Sequence, residues 1–136
     1  MQSIDTMQIT TSQPPGRVPV TVFHMDGRLN MGSAEMLENK GREAIAGGAR
    51  NLLLDLSSVV SLTSAGLRAI HLLSKSLDAA SGPGSGGNAP PSAAGKSSHI
   101  KLLNPTPDIQ RVLNIAGFDR FLEIHSDLPT AVASFG

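Results

Sequence analysis

The side chains that could do chemistry in this sequence are hydroxyls, carboxylates and imidazoles, and they are unevenly spread. Serine and threonine crowd residues 57–64 (SSVVSLTS), directly ahead of an apolar segment of helical period. The start of a helix leaves backbone N–H groups unsatisfied, so an anion or a partner's carboxylate can dock there. Ser64 is placed to cap such a start and to be the nearest acceptor for a phosphate, which would bring about −1.5 to −2 charges at neutral pH. Thr63 is the other candidate cap. Asp55 stands where a strand should give way to a loop, a position at which a carboxylate commonly accepts local backbone N–H bonds. As a lone acid without a paired base it is a poor catalytic candidate. His24, His71, His99 and His125 are scattered without metal-ligand spacing. The glycine-rich stretch 82–87 lacks the following Lys-Ser/Thr of a phosphate-binding loop. No nucleophile–base–orienter set is visible along the chain. The expectation is a binding protein without catalytic residues, metal or cofactor.

Bulk properties narrow the partners. The 136 residues suffice for one domain with its own core. Eleven acidic and eleven basic side chains balance, so no net field draws the chain to nucleic acid or acidic lipid. There is no Trp or Tyr and there are only four Phe, which leaves few platforms for stacking bases. Cysteine is absent, which rules out disulfides and thiolate metal sites and is compatible with a reducing cytosol. The first fifteen residues lack a signal-peptide pattern, and the apolar runs, such as Leu52 to Leu54, are too short to span a bilayer. A soluble, cytoplasmic protein is expected.

The elements that must position these residues can be read from periodicity. Met7 and Ile9 suit a short first strand. In the segment Val18 to Met25, Val18, Val20 and Val22 alternate with Thr21, Phe23 and Met25, and Asp26-Gly27 reads as its end. Ser33 to Ala46 carries Ala34, Leu37, Ala44 and Ile45 on one helical stripe, with Asn30 or Ser33 as cap and Gly47-Gly48 as stop; Gly41 weakens this helix by roughly 1 kcal/mol. Asn51 to Leu56 (NLLLDL) suits a central strand covered on both faces, followed by a serine-rich turn. From Ala65 to Ala79, Gly66, Ile70, Leu73 and Leu77 form one stripe and Arg68, His71, Lys75 and Asp78 the opposite one. Residues 81–98 have almost no large apolar side chain and read as a flexible Gly/Ser/Pro-rich insertion within one domain spanning 1–136. A strand at His99 to Leu103, a helix opened by Thr106-Pro107-Asp108 and closed by Gly117, a strand at Phe121 to Ile124 and a helix capped by Asp127 complete the chain. The order β-β-α-β-α-β-α-β-α argues for an α/β fold with a mostly parallel sheet and right-handed crossovers.

Four segments stand in an order that is familiar. Asp55 to Leu67, DLSSVVSLTSAGL, resembles the signature of STAS domains, which occur in bacterial anti-sigma factor antagonists and in the cytoplasmic tails of sulfate transporters. Gly27-Arg28-Leu29-Asn30 is similar to the family's turn before the first helix. Lys101 to Pro107 with Ile109 to Leu113 resembles the fourth strand and third helix, and Ile115 to Phe121 the segment leading to the last strand.

The resemblance implies a small mixed sheet with about four helices packed mainly on one side, and a regulatory loop leading into the second helix. In the antagonists, a partner kinase that is also the anti-sigma factor phosphorylates the second Ser of Asp-Ser-Ser-Gly. The unphosphorylated domain binds that partner and releases the sigma factor. Carried over position by position, the family Asp falls on Thr63, the first Ser on Ser64 and the phosphorylated Ser on Ala65, while Gly66 and Leu67 match. Asn30 replaces a family Asp beside the same site. The resemblance thus implies an anti-sigma factor antagonist-like regulator of transcription that binds a GHKL-type anti-sigma factor kinase through Asn30, Thr63, Ser64, Ala65, Gly66, Leu67, Arg68, His71 and Lys75, and that has no hydroxyl at the usual serine. The alternative is a STAS subunit of a lipid-transport ABC complex docking on its ATPase. Oligomeric state is left open by the sequence.

Overall fold

Five strands in sequential order make one mixed sheet in the computed structural model, which describes residues 8–14, 16, 18–81, 99–120 and 122–135. The strands are β1 (Gln8–Ser12), β2 (Thr21–Leu29), β3 (Leu52–Leu62), β4 (Ile100–Leu103) and β5 (Ile124–His125). Between and after them run helices α1 (Met31–Ala46), α2 (Ser64–Ser81), α3 (Pro107–Ala116) and α4 (Leu128–Ala133), with a 3-10 turn at Phe118–Arg120. β1 pairs antiparallel with β2, and every later pair is parallel. The element order is the one that periodicity predicts. Met7, Phe121 and all of the expected insertion but Ser81 lie outside the described residues.

Alternation along the strands divides the core in two. Phe23, Met25, Leu52, Leu54, Leu56, Ile100 and Leu102 face α1, α2 and α3, and most of the buried apolar surface lies there. Val20, Val22, Leu53 and Leu103 face the other way, where Ala131 and Val132 of α4 cover them. The continuous run Leu52-Leu53-Leu54 is therefore that of a central strand buried on both faces.

Two strands run further than the sequence suggests. β2 continues through Asp26-Gly27 to Leu29, and β3 continues through the serines to Leu62. Their pairing slips between His24 and Asp26 and again between Gly27 and Arg28, and Gly27 takes a φ of 128° that favours glycine. Polar residues that look like turns thus sit in an irregular ladder. β5 is shorter than expected, and α2 ends at Ser81 instead of Ala79. Gly41, which weakens α1 in isolation, is buried against Leu73 of α2, where a side chain would not fit.

Candidate functional site

The ends of β2 and β3 are level, Leu29 opposite Leu62, so α1 and α2 start side by side at one edge of the sheet. Asn30 caps α1: its side-chain oxygen accepts from Gly32 N–H (3.0 Å) and Ser33 N–H (3.2 Å). Ser33 returns the bond, accepting from Asn30 N–H at 3.0 Å and donating to the Arg28 carbonyl. Both candidates for this cap therefore act, as a reciprocal capping box. Asn30 is spent on the helix start.

Thr63 ties the second loop to the same corner. Its N–H and its hydroxyl both donate to the Leu29 carbonyl, at 3.1 and 3.3 Å, and its own carbonyl accepts from Leu67 N–H at 3.0 Å. Ser64 opens α2 and is exposed, while Ala65 and Leu67 are half-buried and pack on the main core. Gly66 is buried, and a methyl there would come within 2.6 Å of Leu29 Cγ and 2.9 Å of the Leu29 carbonyl oxygen. Close backbone approach is why glycine stands at this position. Arg68, His71 and Lys75 are exposed, and with Ser64 they follow a helical spacing of four, three and four residues. The residues expected to meet a partner thus lie at two neighbouring helix starts and along one face of α2, with Ala65, Gly66 and Leu67 turned toward the core.

Two apolar residues at this corner were not legible as surface. Met31, the first residue of α1, is 81% exposed, and Val60 of β3 is 66% exposed. The signal for Val60 lies in the pair Val59-Val60, of which an extended strand can bury one member, and Val59 is the buried one. Reading the serine-rich stretch as a turn hides it.

The reading of Asp55 as a lone acid at a strand end is corrected. It lies inside β3, beside His24 of β2, and its Oδ2 is 2.8 Å from His24 Nδ1. Its other oxygen accepts from Ser57 N–H (3.0 Å) and Ser57 Oγ (2.7 Å). Burial alone would raise its pKa, but the two Ser57 bonds and His24 outweigh that and hold it below the ordinary carboxylate value. Among the described residues no group of three or more His, Asp or Glu is placed to hold a metal ion, and no helix is long and apolar enough to cross a membrane.

Comparison with known proteins places this geometry in a family. A model of the STAS domain matches residues 10–83, more than half of the chain. No curated protein matches. Among solved structures, an anti-sigma factor antagonist from Mycobacterium paratuberculosis is similar at a TM-score of 0.71 and 22% identity, covering 97% of this chain and 98% of that one. The Bacillus cell fate determinant SpoIIAA in its phosphorylated form aligns at a TM-score of 0.60 and 17% identity, over 91% and 96% of the two chains. The anti-sigma factor antagonist SpoIIAA in its unphosphorylated form aligns at 0.56 and 17% identity, over 88% of each chain. At such identities the likeness is one of fold.

Proposed function

The chain belongs to the STAS domain family, and from that premise we propose that it is an anti-sigma factor antagonist-like regulator which binds a GHKL-type anti-sigma factor kinase and so controls sigma factor release. The observation that carries this reading is the exposed line of Ser64, Arg68, His71 and Lys75 on α2, with Leu72 of the same helix and Met31 at the neighbouring start of α1 also exposed. Apolar anchors beside basic side chains suit a protein partner with an acidic rim around an apolar pocket. Asn30, Thr63 and Gly66 hold the corner in shape, and Ala65 and Leu67 bind it to the core.

Ala65 stands where the family's phosphorylated serine is expected, so the usual switch has no acceptor atom there. We propose that this domain binds its partner constitutively, without control by phosphate at position 65. Ser64 is the nearest hydroxyl, and a negative charge on it would fall beside Arg68, one helical turn away, and against an acidic partner surface.

The test is an affinity pull-down from native lysate with wild type, Ser64→Asp and Ala65→Ser. Aspartate at the first position of α2 suits the helix dipole, so the variant stays folded. Recovery of a kinase-like anti-sigma factor, lost with Ser64→Asp, supports the reading. Recovery of ABC-transporter subunits instead would overturn it in favour of a lipid-transport role. Incubated with the recovered kinase and ATP, Ala65→Ser is expected to gain a phosphate and wild type none. Stoichiometric phosphate on the wild-type loop would place control at Ser64 and end the constitutive reading.

A further inference from the structure

On the face of the sheet opposite α1 and α2, three adjacent strands bring a serine, a histidine and an aspartate into one line. Ser12 ends the edge strand β1, His24 lies in β2 and Asp55 in β3, the latter two directly paired. Ser12 Oγ is 2.8 Å from His24 Nε2, and His24 Nδ1 is 2.8 Å from Asp55 Oδ2. Because Asp55 is ionised at neutral pH, it can only accept. In the neutral imidazole, Nδ1 therefore carries the proton and donates to Asp55, which leaves Nε2 to accept the Ser12 hydroxyl proton. Ser57 fixes the far side of Asp55 with two bonds, so the carboxylate is oriented as well as charged. α4 covers Val20, Val22, Leu53 and Leu103 on this face but leaves Ser12 exposed and the His24 side chain 39% exposed. A hydroxyl bonded to a base that is itself oriented by a third group is the arrangement that activates a nucleophile.

We propose that Ser12 is an activated hydroxyl, a site of covalent acylation by small activated esters or thioesters, with His24 as its base and Asp55 as the positioning residue. In the step, Ser12 Oγ forms a bond to the acyl carbon and the bond from that carbon to the alkoxide or thiolate breaks. The hydroxyl proton passes to His24 Nε2 and from there to the leaving group or to water. A cleft of about 530 Å³ exists in the structure, but Thr11, Thr21 and Phe23 line it on the other face of the sheet. The relay lies on an open surface, which suits small acyl groups and a single acylation more than sustained turnover.

The experiment uses p-nitrophenyl acetate on the full chain, following p-nitrophenolate release and locating the acetyl group by peptide mass spectrometry. One equivalent is expected to be released in a burst, with the acetyl on Ser12. Ser12→Ala abolishes the burst, His24→Gln slows it about a hundredfold, and Asp55→Asn slows it more than about tenfold. Acetyl spread over lysines and other serines by exposure, or a Ser12 rate unchanged in His24→Gln, would overturn the proposal. Should either variant prove unfolded by circular dichroism, the wild-type rate against pH decides. A rise that levels off after one imidazole ionisation supports the relay, and a rate simply proportional to hydroxide overturns it.

Discussion

A methyl group added at Gly66 would meet Leu62 Cδ1 at 2.8 Å as well as the side chain and carbonyl oxygen of Leu29. The carbonyl belongs to the strand end that also holds Thr63, so it cannot yield without moving the corner. Gly66→Ala is therefore expected to cost about 1–3 kcal/mol, read from the urea midpoint, and to weaken partner capture. Gly41 poses the opposite question, because Ala in a helix is worth about 1 kcal/mol over Gly. Here the neighbour is the flexible end of Leu73, overlapped by the added atom. Overpacking wins: Gly41→Ala is expected to destabilise the wild type, yet to stabilise the Leu73→Ala background, where the space has been vacated. A double-mutant cycle in urea checks the change of sign. Neither consequence was legible in the sequence, which shows a helix-weakening glycine in α1 but not the leucine from another helix that occupies its place.

Helix α4 has six residues, too few to hold a helix unaided. Asp127 caps it, with its carboxylate accepting from Thr130 N–H and Oγ, and Ala131 and Val132 bury its apolar side. Its end is held by Lys101 of β4, a lysine that is 3% exposed. The Lys101 ammonium donates to the Ser134 carbonyl and hydroxyl, each at 3.0 Å, lies 3.3 Å from Glu123 and sits over the Phe135 ring. Burial would raise the Glu123 pKa, but the hydrogen bond from His125 and the charge of Lys101 prevail and lower it. A lowered folded pKa means that stability is fully present above the ordinary carboxylate value and is lost as pH falls through the folded one. Amide protection factors at residues 131–134, taken against the intrinsic exchange rate at each pH, are thus expected to fall below about pH 4, and Glu123→Gln to remove much of that dependence while costing about 1 kcal/mol at neutral pH. The order and type of the strands and α-helices among the described residues were legible from period and caps; the 3-10 turn at Phe118–Arg120 was not. Nor were the strand ends, because Asp26-Gly27 and Ser57-Ser58 carry turn chemistry, while Asp26, Gly27 and Ser58 are paired in the ladder and Ser57 falls in its register shift. A buried lysine on an otherwise apolar strand is likewise invisible until α4 is seen to bring it a carbonyl.

At the scale of the whole molecule, three of the helices among the described residues share one face of the sheet and the fourth crosses to the other, so the α2 line and the Ser12 line are built on different surfaces. What joins them is β3, whose Asp55 serves one and whose end at Leu62 serves the other. The family likeness was legible because matching residues that shape the corner, Gly27, Leu29, Gly66 and Leu67, are fixed by a positive φ and by close packing. The Ser12 line was not, since its three members are far apart in sequence and meet only through strand register. The parallel crossover from β3 through α2 to β4 returns the chain to the edge where β4 begins, and helix-to-strand connections of this kind ordinarily need two to six residues. Seventeen residues, 82–98, stand between Ser81 and His99. If their part is only to connect, shortening them relieves closure entropy, which grows as the logarithm of length. Replacing 82–98 with six Gly/Ser residues is then expected to raise stability by about 1 kcal/mol, measured by urea unfolding, and to leave partner capture unchanged. A loss of capture at preserved stability would instead make the segment part of the docking surface.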